Sequence, residues 1–183
     1  MSTQALLVID MQKDFFVDDE LERCREDVTK ACNELVDRAR EAGVPVFEVQ
    51  TVHQHDKSTW ALNMLEDDQG MALEGSDGVQ RVEGLREGDV VIPKTRDSAF
   101  FGTGLAELLQ EAGVERVVLC GVSTESCIAA TATEAYARDL RVTLVEDGTA
   151  SIEWEQHDQT LARLKEQYRQ DVVSAADIDF GRG

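Results

Sequence analysis

Short apolar runs alternate with helical patterns along almost the whole of this 183-residue chain. Between the runs, apolar residues recur at helical spacing, as they do from Cys24 to Ala42. Strands that alternate with helices form parallel sheets covered on both faces. The alternation therefore predicts an α/β fold in three layers with a six-stranded, mostly parallel sheet, for which we take the common strand order 3-2-1-4-5-6. Five of the six predicted strands are ALLVID (5–10), DVVIPK (89–94), VERVVLCG (114–121), RVTLVED (141–147) and DVVSAADI (171–178). The second strand lies in AGVPVFEVQT (42–51), after a helix end that is closed by glycine.

The chain length fits one domain, which we expect to span residues 1–183. Within it, the segment 52–88 has a looser pattern and contains His53, His55 and Trp60. A connection of this length is uncommon in a compact domain unless it carries function. We therefore interpret residues 52–88 as a variable substrate or lid segment.

Acidic residues outnumber basic residues by 37 to 18, which gives a formal net charge of −19. Such a field repels nucleic acid and anionic membrane surfaces, so neither is expected as a partner. Lysine is rare and occurs only at positions 13, 30, 57, 94 and 165. An acidic, lysine-poor surface suits concentrated salt, so a halophilic source is one interpretation and an ordinary acidic cytosolic protein is the other.

The sequence also predicts where the protein resides. No apolar run approaches the roughly 20 residues that span a bilayer, and the opening MSTQALLVIDMQKDFF lacks the basic region of a signal peptide. We therefore expect a cytoplasmic protein whose four cysteines stay reduced. Cys120 lies in an apolar strand and is expected in the core. Cys24 and Cys32 have no paired histidines and do not predict a zinc site.

Three reactive side chains lie at or after the ends of predicted strands. Asp10 ends the first strand, Lys94 ends the third, and Cys127 follows the fourth after a short loop. Ligands bind at this edge of a parallel sheet, where the strand order reverses. Strands 1 and 4 are neighbours there in the expected order. We therefore expect Asp10 and Cys127 to face each other, with Lys94 within reach.

The chemistry of these residues suits nucleophilic catalysis. A thiolate at Cys127 would be favoured by the start of its helix and by the charge of Lys94. Asp10 could take the thiol proton and later pass it to a leaving group. The small polar loop GVSTES (121–126) could direct the N–H groups of Ser123 and Cys127 at an oxyanion. The alternative is that these residues meet strand ends by chance and that Cys127 is a buried core thiol.

Three stretches together resemble the isochorismatase-like cysteine hydrolases. They are LLVIDMQKDF (6–15), VVIPKTRDSAFFGTGL (90–105) and LCGVSTESCIAATATEAYARDLRVTLVEDGTAS (119–151). That family includes nicotinamidases, isochorismatases, and N-carbamoylsarcosine, ureidoacrylate and biuret amidohydrolases. The resemblance covers most of the chain and is weakest over 52–88. It implies the same six-stranded fold, a homo-oligomer of two or more copies, a small-molecule substrate and no cofactor.

The resemblance also implies roles for individual residues. It assigns an Asp–Lys–Cys triad to Asp10, Lys94 and Cys127, and an oxyanion hole to the backbone of Ser123 and Cys127. Members typically have a cis peptide before the nucleophile, which here would be Val122–Ser123. Candidate substrate contacts, chosen because most of them lie close to these residues in the sequence, are Gln12, Phe15, His53, Trp60 and Phe100.

Nicotinamidases of this family usually carry an Asp-x-His after the second strand, and it binds a metal. Here Thr51 stands where that aspartate is expected, with His53 and His55 following. No metal is therefore expected, and we interpret the two histidines as surface or pocket residues. His157 begins a predicted helix and is interpreted as structural. Arg96 could pair with a substrate carboxylate or with a surface partner.

From these observations we predict a cysteine-dependent hydrolase of a small-molecule amide, ureido or carbamoyl C–N bond, acting through a thioester. Some isochorismatases, which hydrolyse a vinyl ether, lack the cysteine, so its presence favours C–N bond hydrolysis. Vinyl ether hydrolysis and nicotinamidase activity remain alternatives, and a non-catalytic binding protein is a further one. A redox-active thiol is disfavoured because no C-x-x-C or resolving cysteine accompanies Cys127.

Overall fold

A computed structural model describes residues 3–181, in which helices and strands follow the alternation found in the sequence. The strands are β1 (Gln4–Ile9), β2 (Val46–Thr51), β3 (Val90–Lys94), β4 (Arg116–Val122), β5 (Arg141–Ala150) and β6 (Asp171–Val173). The α-helices are α1 (Asp19–Glu41), α2 (Leu62–Asp67), α3 (Leu105–Glu111), α4 (Ala129–Ala137) and α5 (Trp154–Tyr168). Short 3₁₀ turns cover Lys13–Phe16 and Ala175–Asp177.

The six strands form one parallel sheet in the order β3-β2-β1-β4-β5-β6, which confirms the predicted fold class and strand order. The order reverses at β1, where Ile9 lies between Val49 of β2 and Gly121 of β4. The backbones approach closely at this point, because a Cβ built on Gly121 would lie 2.0 Å from the carbonyl oxygen of Ile9. Glycine at position 121 therefore lets β4 pack beside β1 at the switch point.

Helices cover both faces of the sheet. On one face, Ala5, Leu7 and Ile9 of β1 pack in a core that includes residues of α3, α4 and α5. On the other face, Leu6 and Val8 pack in a core with apolar residues of α1. Successive strand residues point to opposite faces, so a continuous apolar strand fills both cores.

Two elements differ from their predicted forms. The helix expected to begin at Cys127 is preceded by a π-helical turn over Thr124–Ile128, and α4 begins at Ala129. The fifth strand extends to Ala150, with an irregular register against β4 between Leu119 and Gly121. Single-turn π segments insert an extra residue into a helix and occur frequently at functional sites. The carboxyl edge of the sheet is thus less regular than the sequence pattern indicates.

The segment 52–88 is not a structureless loop. It contains α2, and two isolated bridges organise it: Arg81 pairs with Gln12 after β1, and Leu73 pairs with His53, which follows β2 within the segment. The segment therefore lies against the residues that follow β1 and β2. Within residues 3–181, the helices are all too short or too polar to cross a lipid bilayer.

Candidate active site

Asp10 lies directly after β1, with its side chain fully buried and its backbone in the left-handed region at φ 51°. Its Oδ1 accepts hydrogen bonds from the backbone N–H and the hydroxyl of Thr51, each at 2.9 Å. Its Oδ2 lies 2.8 Å from the Nζ of Lys94 but, within the described residues, accepts no well-aligned hydrogen bond. One carboxylate oxygen is thus fixed, and the other keeps the capacity to accept a proton.

Lys94 ends β3 and reaches across Thr51 to Asp10. The register of β2 and β3 places Thr51 beside Lys94, so the ammonium group donates to the Thr51 hydroxyl at 2.8 Å. It also donates to the carbonyl of Arg96 at 3.0 Å and lies 3.4 Å from the Sγ of Cys127. Burial by itself lowers the pKa of Lys94, but its interactions with the Asp10 carboxylate and, after it, with the Cys127 sulfur outweigh burial and raise it. Lys94 is therefore a buried cation at neutral pH.

Cys127 lies in the π-helical turn and is only 4% exposed. Burial raises the pKa of its thiol well above the usual value, and the charge of Asp10 acts in the same direction, while Lys94 opposes it. The sequence interpretation expected a thiolate favoured by the helix start and Lys94. The structure corrects that expectation, because desolvation and Asp10 outweigh the lysine. The resting thiol is neutral and needs a base to remove its proton.

The loop that joins β4 to the π-helical turn of Cys127 has an unusual backbone. The peptide bond between Val122 and Ser123 is cis. The Ser123 carbonyl accepts hydrogen bonds from the N–H groups of Ser126 and Ile128, whereas the Ser123 N–H has no acceptor among residues 3–181. The loop thus offers a free donor next to the strand end that precedes Cys127.

A buried hydrogen-bond chain supports this turn from behind. The hydroxyl of Thr124 donates to the carbonyl of Ala150 at 3.0 Å, so it accepts a hydrogen bond from the Nδ1 of His157 at 2.8 Å. His157 is buried inside α5, with the Trp154 ring edge-on at 5.0 Å. Burial lowers the pKa of His157 although nearby carboxylates raise it. His157 therefore has a structural contact, and sequence spacing gave no sign that Thr124 is its partner.

A cavity of about 620 Å³ opens above Cys127. Phe15 and His53, two of the predicted substrate contacts, lie on its lining. Further apolar and polar side chains complete it, among them Met64, Met71, Arg96, Phe101 and Glu134. This volume lies within the range of small-molecule sites, so the reactive groups lie beneath a ligand-sized space.

Three predicted substrate contacts lie outside the lining of this cavity. Gln12 is fully buried, and its amide bonds to the backbone of Thr51 and Val79 at 2.8–2.9 Å. Trp60 packs over Gly70 and donates its indole N–H to the carbonyl of Gln54.

The third of these residues, Phe100, is 3% exposed and belongs to the core beneath α3 and α4. Its neighbour Phe101 is 60% exposed and lines the cavity instead. Sequence proximity to the reactive residues indicated this loop, but the structure places Phe101 rather than the predicted Phe100 on the cavity lining. Adjacent side chains in a turn point in different directions, and spacing alone does not distinguish them.

The polar groups of the segment after β2 do not fit a metal site. Thr51 has no carboxylate, and its hydroxyl is held between Asp10 and Lys94. His53 Nδ1 pairs with the carbonyl of Thr59 at 3.0 Å, and His55 Nε2 pairs with that of Glu74 at 2.9 Å. Among residues 3–181, no three side chains of the His, Cys, Asp and Glu types converge as a ligand set.

Arg96 lies between the cavity and the segment 52–88. Its guanidinium donates to the carbonyls of Thr59 and Thr95 at 2.7 and 2.5 Å, with the Trp60 carbonyl at 3.4 Å. Among the described residues, no carboxylate forms an ion pair with it. Arg96 therefore fastens the segment to the loop after β3 rather than pairing with a surface acid.

Comparison with known proteins places this geometry in a family. The sequence profile of the Isochorismatase domain matches residues 4–177. A probable inactive nicotinamidase of Arabidopsis thaliana is 35% identical over 88% of this chain and 87% of its own length. Nicotinamidase 3 of the same plant is 36% identical over 87% of this chain and 79% of its own length.

A solved structure agrees with these sequence relatives. The isochorismatase family protein of Desulfovibrio vulgaris superimposes with a TM-score of 0.85 at 28% identity, covering 96% of both chains. The predicted resemblance is confirmed by the family match, the relatives and this structure together. The chain belongs to the isochorismatase family and is a hydrolase of the isochorismatase-like α/β type.

Proposed function

We propose that this protein hydrolyses a small-molecule amide, ureido or carbamoyl C–N bond, with Cys127 as nucleophile and Asp10 as the proton carrier. The observation that carries the proposal is the buried contact of three side chains. Lys94 Nζ lies 2.8 Å from Asp10 Oδ2 and 3.4 Å from Cys127 Sγ. Cys127 also lines the cavity in which a substrate would bind.

In the first half of the reaction, Cys127 Sγ attacks the carbonyl carbon and its proton moves to Asp10. Because the resting thiol is neutral, a base at this position is required. Asp10 then gives the proton to the departing nitrogen as the C–N bond breaks. The products of this half are ammonia or an amine and a thioester on Cys127.

In the second half, Asp10 removes a proton from water, and the resulting hydroxide attacks the thioester carbon. The C–S bond breaks, the sulfur regains a proton, and a carboxylic or carbamic acid leaves. The net change is addition of one water molecule across the C–N bond. Lys94 stays charged throughout and stabilises whichever of Asp10 and Cys127 is negative.

The carbonyl oxygen becomes negatively charged in each tetrahedral intermediate. We propose that the N–H groups of Ser123 and Cys127 bind this oxyanion. The unpaired N–H of Ser123 supports the assignment, since preformed donors need no reorganisation when charge develops. Thr124 and His157 hold the turn from the opposite side.

Nicotinamide hydrolysis is the second candidate because two relatives are named as nicotinamidases, one of them probably inactive. Nicotinamide is small enough for the cavity of about 620 Å³. Against it stands Thr51, which replaces the aspartate of the metal-binding pattern and bonds to Asp10 instead. Activity on nicotinamide would therefore have to proceed without the metal contact to the ring nitrogen.

The test is a screen of ammonia release over nicotinamide, ureido and carbamoyl compounds, with the wild type and Cys127→Ala compared at low and high salt. We expect the wild type to hydrolyse at least one of these C–N substrates. We expect Cys127→Ala to hydrolyse none of them at either salt concentration. Isochorismate, followed through its own product, tests vinyl ether hydrolysis in parallel. Turnover of isochorismate alone, or turnover that survives in Cys127→Ala, would refute the proposal.

A further inference from the structure

A second cavity, of about 550 Å³, lies at the amino edge of the sheet, opposite the catalytic cavity. Arg116, Arg141 and Asp171, the first residues of β4, β5 and β6, lie on its lining. The catalytic side chains instead lie at or beyond the carboxyl ends of their strands. This amino-edge cavity is therefore separated from Cys127 by the length of a strand.

The rim of the amino-edge cavity is aromatic. Tyr136 and Tyr168, the only two tyrosines of the chain, line it and pack edge to face with ring centroids 5.2 Å apart. Tyr136 remains 51% exposed in spite of this contact. A half-exposed aromatic pair offers a flat apolar surface on which a planar ligand can pack.

The charge of the lining is positive, in contrast to the chain as a whole. Asp171 is neutralised by Arg116 at 2.5 Å. Arg141 and Arg169 also line the cavity, and neither forms an ion pair with any carboxylate of residues 3–181. Asp139 is the remaining acid, so two free arginines face one carboxylate. In a chain with 37 acidic and 18 basic residues, two unpaired arginines in one cavity point to an anionic ligand.

The helix ends around this cavity differ from those of α1 and α3, although α2, outside the cavity lining, also ends on a charged left-handed residue, Asp68 at φ 55°. α1 and α3 are followed by Gly43 and Gly113, at φ 71° and 64°. α4 and α5 are followed instead by Asp139 and Arg169, at φ 62° and 56°. Glycine is the residue that adopts this left-handed conformation without steric cost. The two helices beside the cavity therefore carry charged side chains at positions where glycine would be more stable.

A buried acceptor completes the lining. Gln170 is 4% exposed, and its Nε2 donates to the carbonyl of Ala132 at 2.8 Å. Its Oε1 accepts no hydrogen bond from the described residues. A buried carbonyl oxygen without a donor is destabilising, and a ligand N–H or O–H group would supply one after a small shift of the side chain.

We propose that the amino-edge cavity binds a small aromatic anion. Its planar ring packs on Tyr136 and Tyr168, its anionic group pairs with Arg141 and Arg169, and a ring N–H or amino group donates to Gln170. A nucleoside monophosphate and a heteroaromatic carboxylate share this chemistry. The site is independent of the proposed hydrolysis and uses none of its residues.

The experiment is isothermal titration of the full chain with adenosine monophosphate and, separately, with orotate. Adenosine and inorganic phosphate alone serve as half-ligands. We expect saturable binding of at least one probe, with both half-ligands bound at least about tenfold more weakly. If only adenosine monophosphate binds, the site selects a phosphate. If only orotate binds, the site selects a carboxylate. If both bind, the site accepts any small aromatic anion of either kind.

Variants then locate the bound probe. Arg141→Gln and Arg169→Gly should each weaken binding at least about tenfold, whereas Arg163→Gln, an exposed arginine of α5 outside the cavity, should change it less than about twofold. Arg169→Gly should also keep or raise the melting temperature, because glycine relieves the left-handed backbone. The proposal is overturned if neither probe binds up to about 10 mM, or if binding survives both cavity substitutions. These outcomes do not depend on whether the protein hydrolyses any C–N bond.

Discussion

The floor and the wall of the catalytic cavity are built in different ways. The floor, defined as Asp10, Thr51, Lys94 and Cys127, is buried, and its polar groups contact one another. The wall, which includes Phe15, Met64, Met71, Arg96 and Phe101, comes from segments outside the sheet. Of the apolar side chains in the wall, Phe101 is the most exposed, at 60%.

This difference indicates that the floor carries the proposed chemistry and that the wall determines which substrate binds. The registers of β1, β2 and β3 fix the floor, since Thr51 lies beside Lys94 and Asp10 follows Ile9 directly. The wall depends on α2 and on the loops after β1, β2 and β3, which can change without disturbing the sheet. We therefore expect floor substitutions to lower kcat and wall substitutions to raise KM.

The largest effect is expected at the floor from removal of the proposed nucleophile or the proposed base. Cys127→Ala and Asp10→Asn should each lower kcat for C–N hydrolysis by about a thousandfold or more, because no other described group can replace the thiol or carry its proton. Ammonia release under substrate saturation measures the effect, with circular dichroism as the control for folding. Retention of more than about a tenth of the activity by either variant would remove that residue from the mechanism.

A smaller but clear effect is expected at Thr51. Thr51→Val keeps the shape but removes the hydroxyl that donates to Asp10 and accepts from Lys94. We expect kcat to fall about tenfold to a hundredfold and unfolding in urea to show a loss of about 1–3 kcal/mol from the unpaired buried groups. Thr51→Ser, which retains the hydroxyl, is the matched control and should stay close to wild type. Equal behaviour of the two variants would show that the floor does not depend on this hydroxyl.

The wall is tested at Phe101. Phe101→Ala should raise KM several-fold and leave kcat within about twofold, because the side chain lines the cavity but belongs to none of the groups proposed to react. Val17→Ala is the control, since Val17 is 80% exposed and lies outside the cavity lining. A fall in kcat as large as that of Thr51→Val would break the distinction between floor and wall.

The smallest effect is expected behind the floor, at His157. Burial lowers the pKa of His157 more than Asp158, Glu125 and Glu146 raise it. The unfolded chain therefore binds a proton at a higher pH than the folded chain, so stability is present above the unfolded pKa of about 6.5 and is lost as pH falls through the lowered folded pKa. His157→Asn keeps a donor for Thr124 and should flatten this loss. Urea unfolding between pH 7.5 and 5 measures it, and an unchanged slope would exclude His157 as a source.

Much of the fold and most of the floor could be predicted from the sequence. Strand–helix alternation predicted the layers, and the common order of such sheets supplied the strand order; the structure confirms both. The ends of the first and third runs located Asp10 and Lys94, because the carboxyl edge of a parallel sheet is set by strand boundaries. Cys127 was located by the start of its helix together with the family resemblance.

The remaining features depend on backbone paths that spacing does not encode. Gln12 lies two residues after Asp10, but the left-handed backbone at Asp10 is followed by a turn in which the Gln12 amide bonds to Thr51. Phe100 and Phe101 are identical in type and adjacent, and the turn alone decides which one enters the core. The contact of Thr51 with Lys94 became evident only from the strand register. In the sequence, Thr51 was notable only because it stands where a metal-binding aspartate is expected.

The protonation state of Cys127 could not be predicted from the sequence either. A helix start and a nearby lysine predict a thiolate, whereas the depth of burial decides the opposite for the resting protein. This outcome makes Asp10 more important, because a neutral thiol beside an accepting oxygen reacts only when the proton is transferred.

The central claim is that Cys127 forms a covalent bond with the acyl group of the substrate. Rapid acid quenching of the reaction with an active C–N substrate, followed by mass spectrometry of the peptide that contains Cys127, tests it directly. The account predicts a mass increase equal to the acyl group on Cys127 in the wild type and none in Cys127→Ala. Steady turnover with no adduct on Cys127, together with full activity of Cys127→Ala, would contradict it.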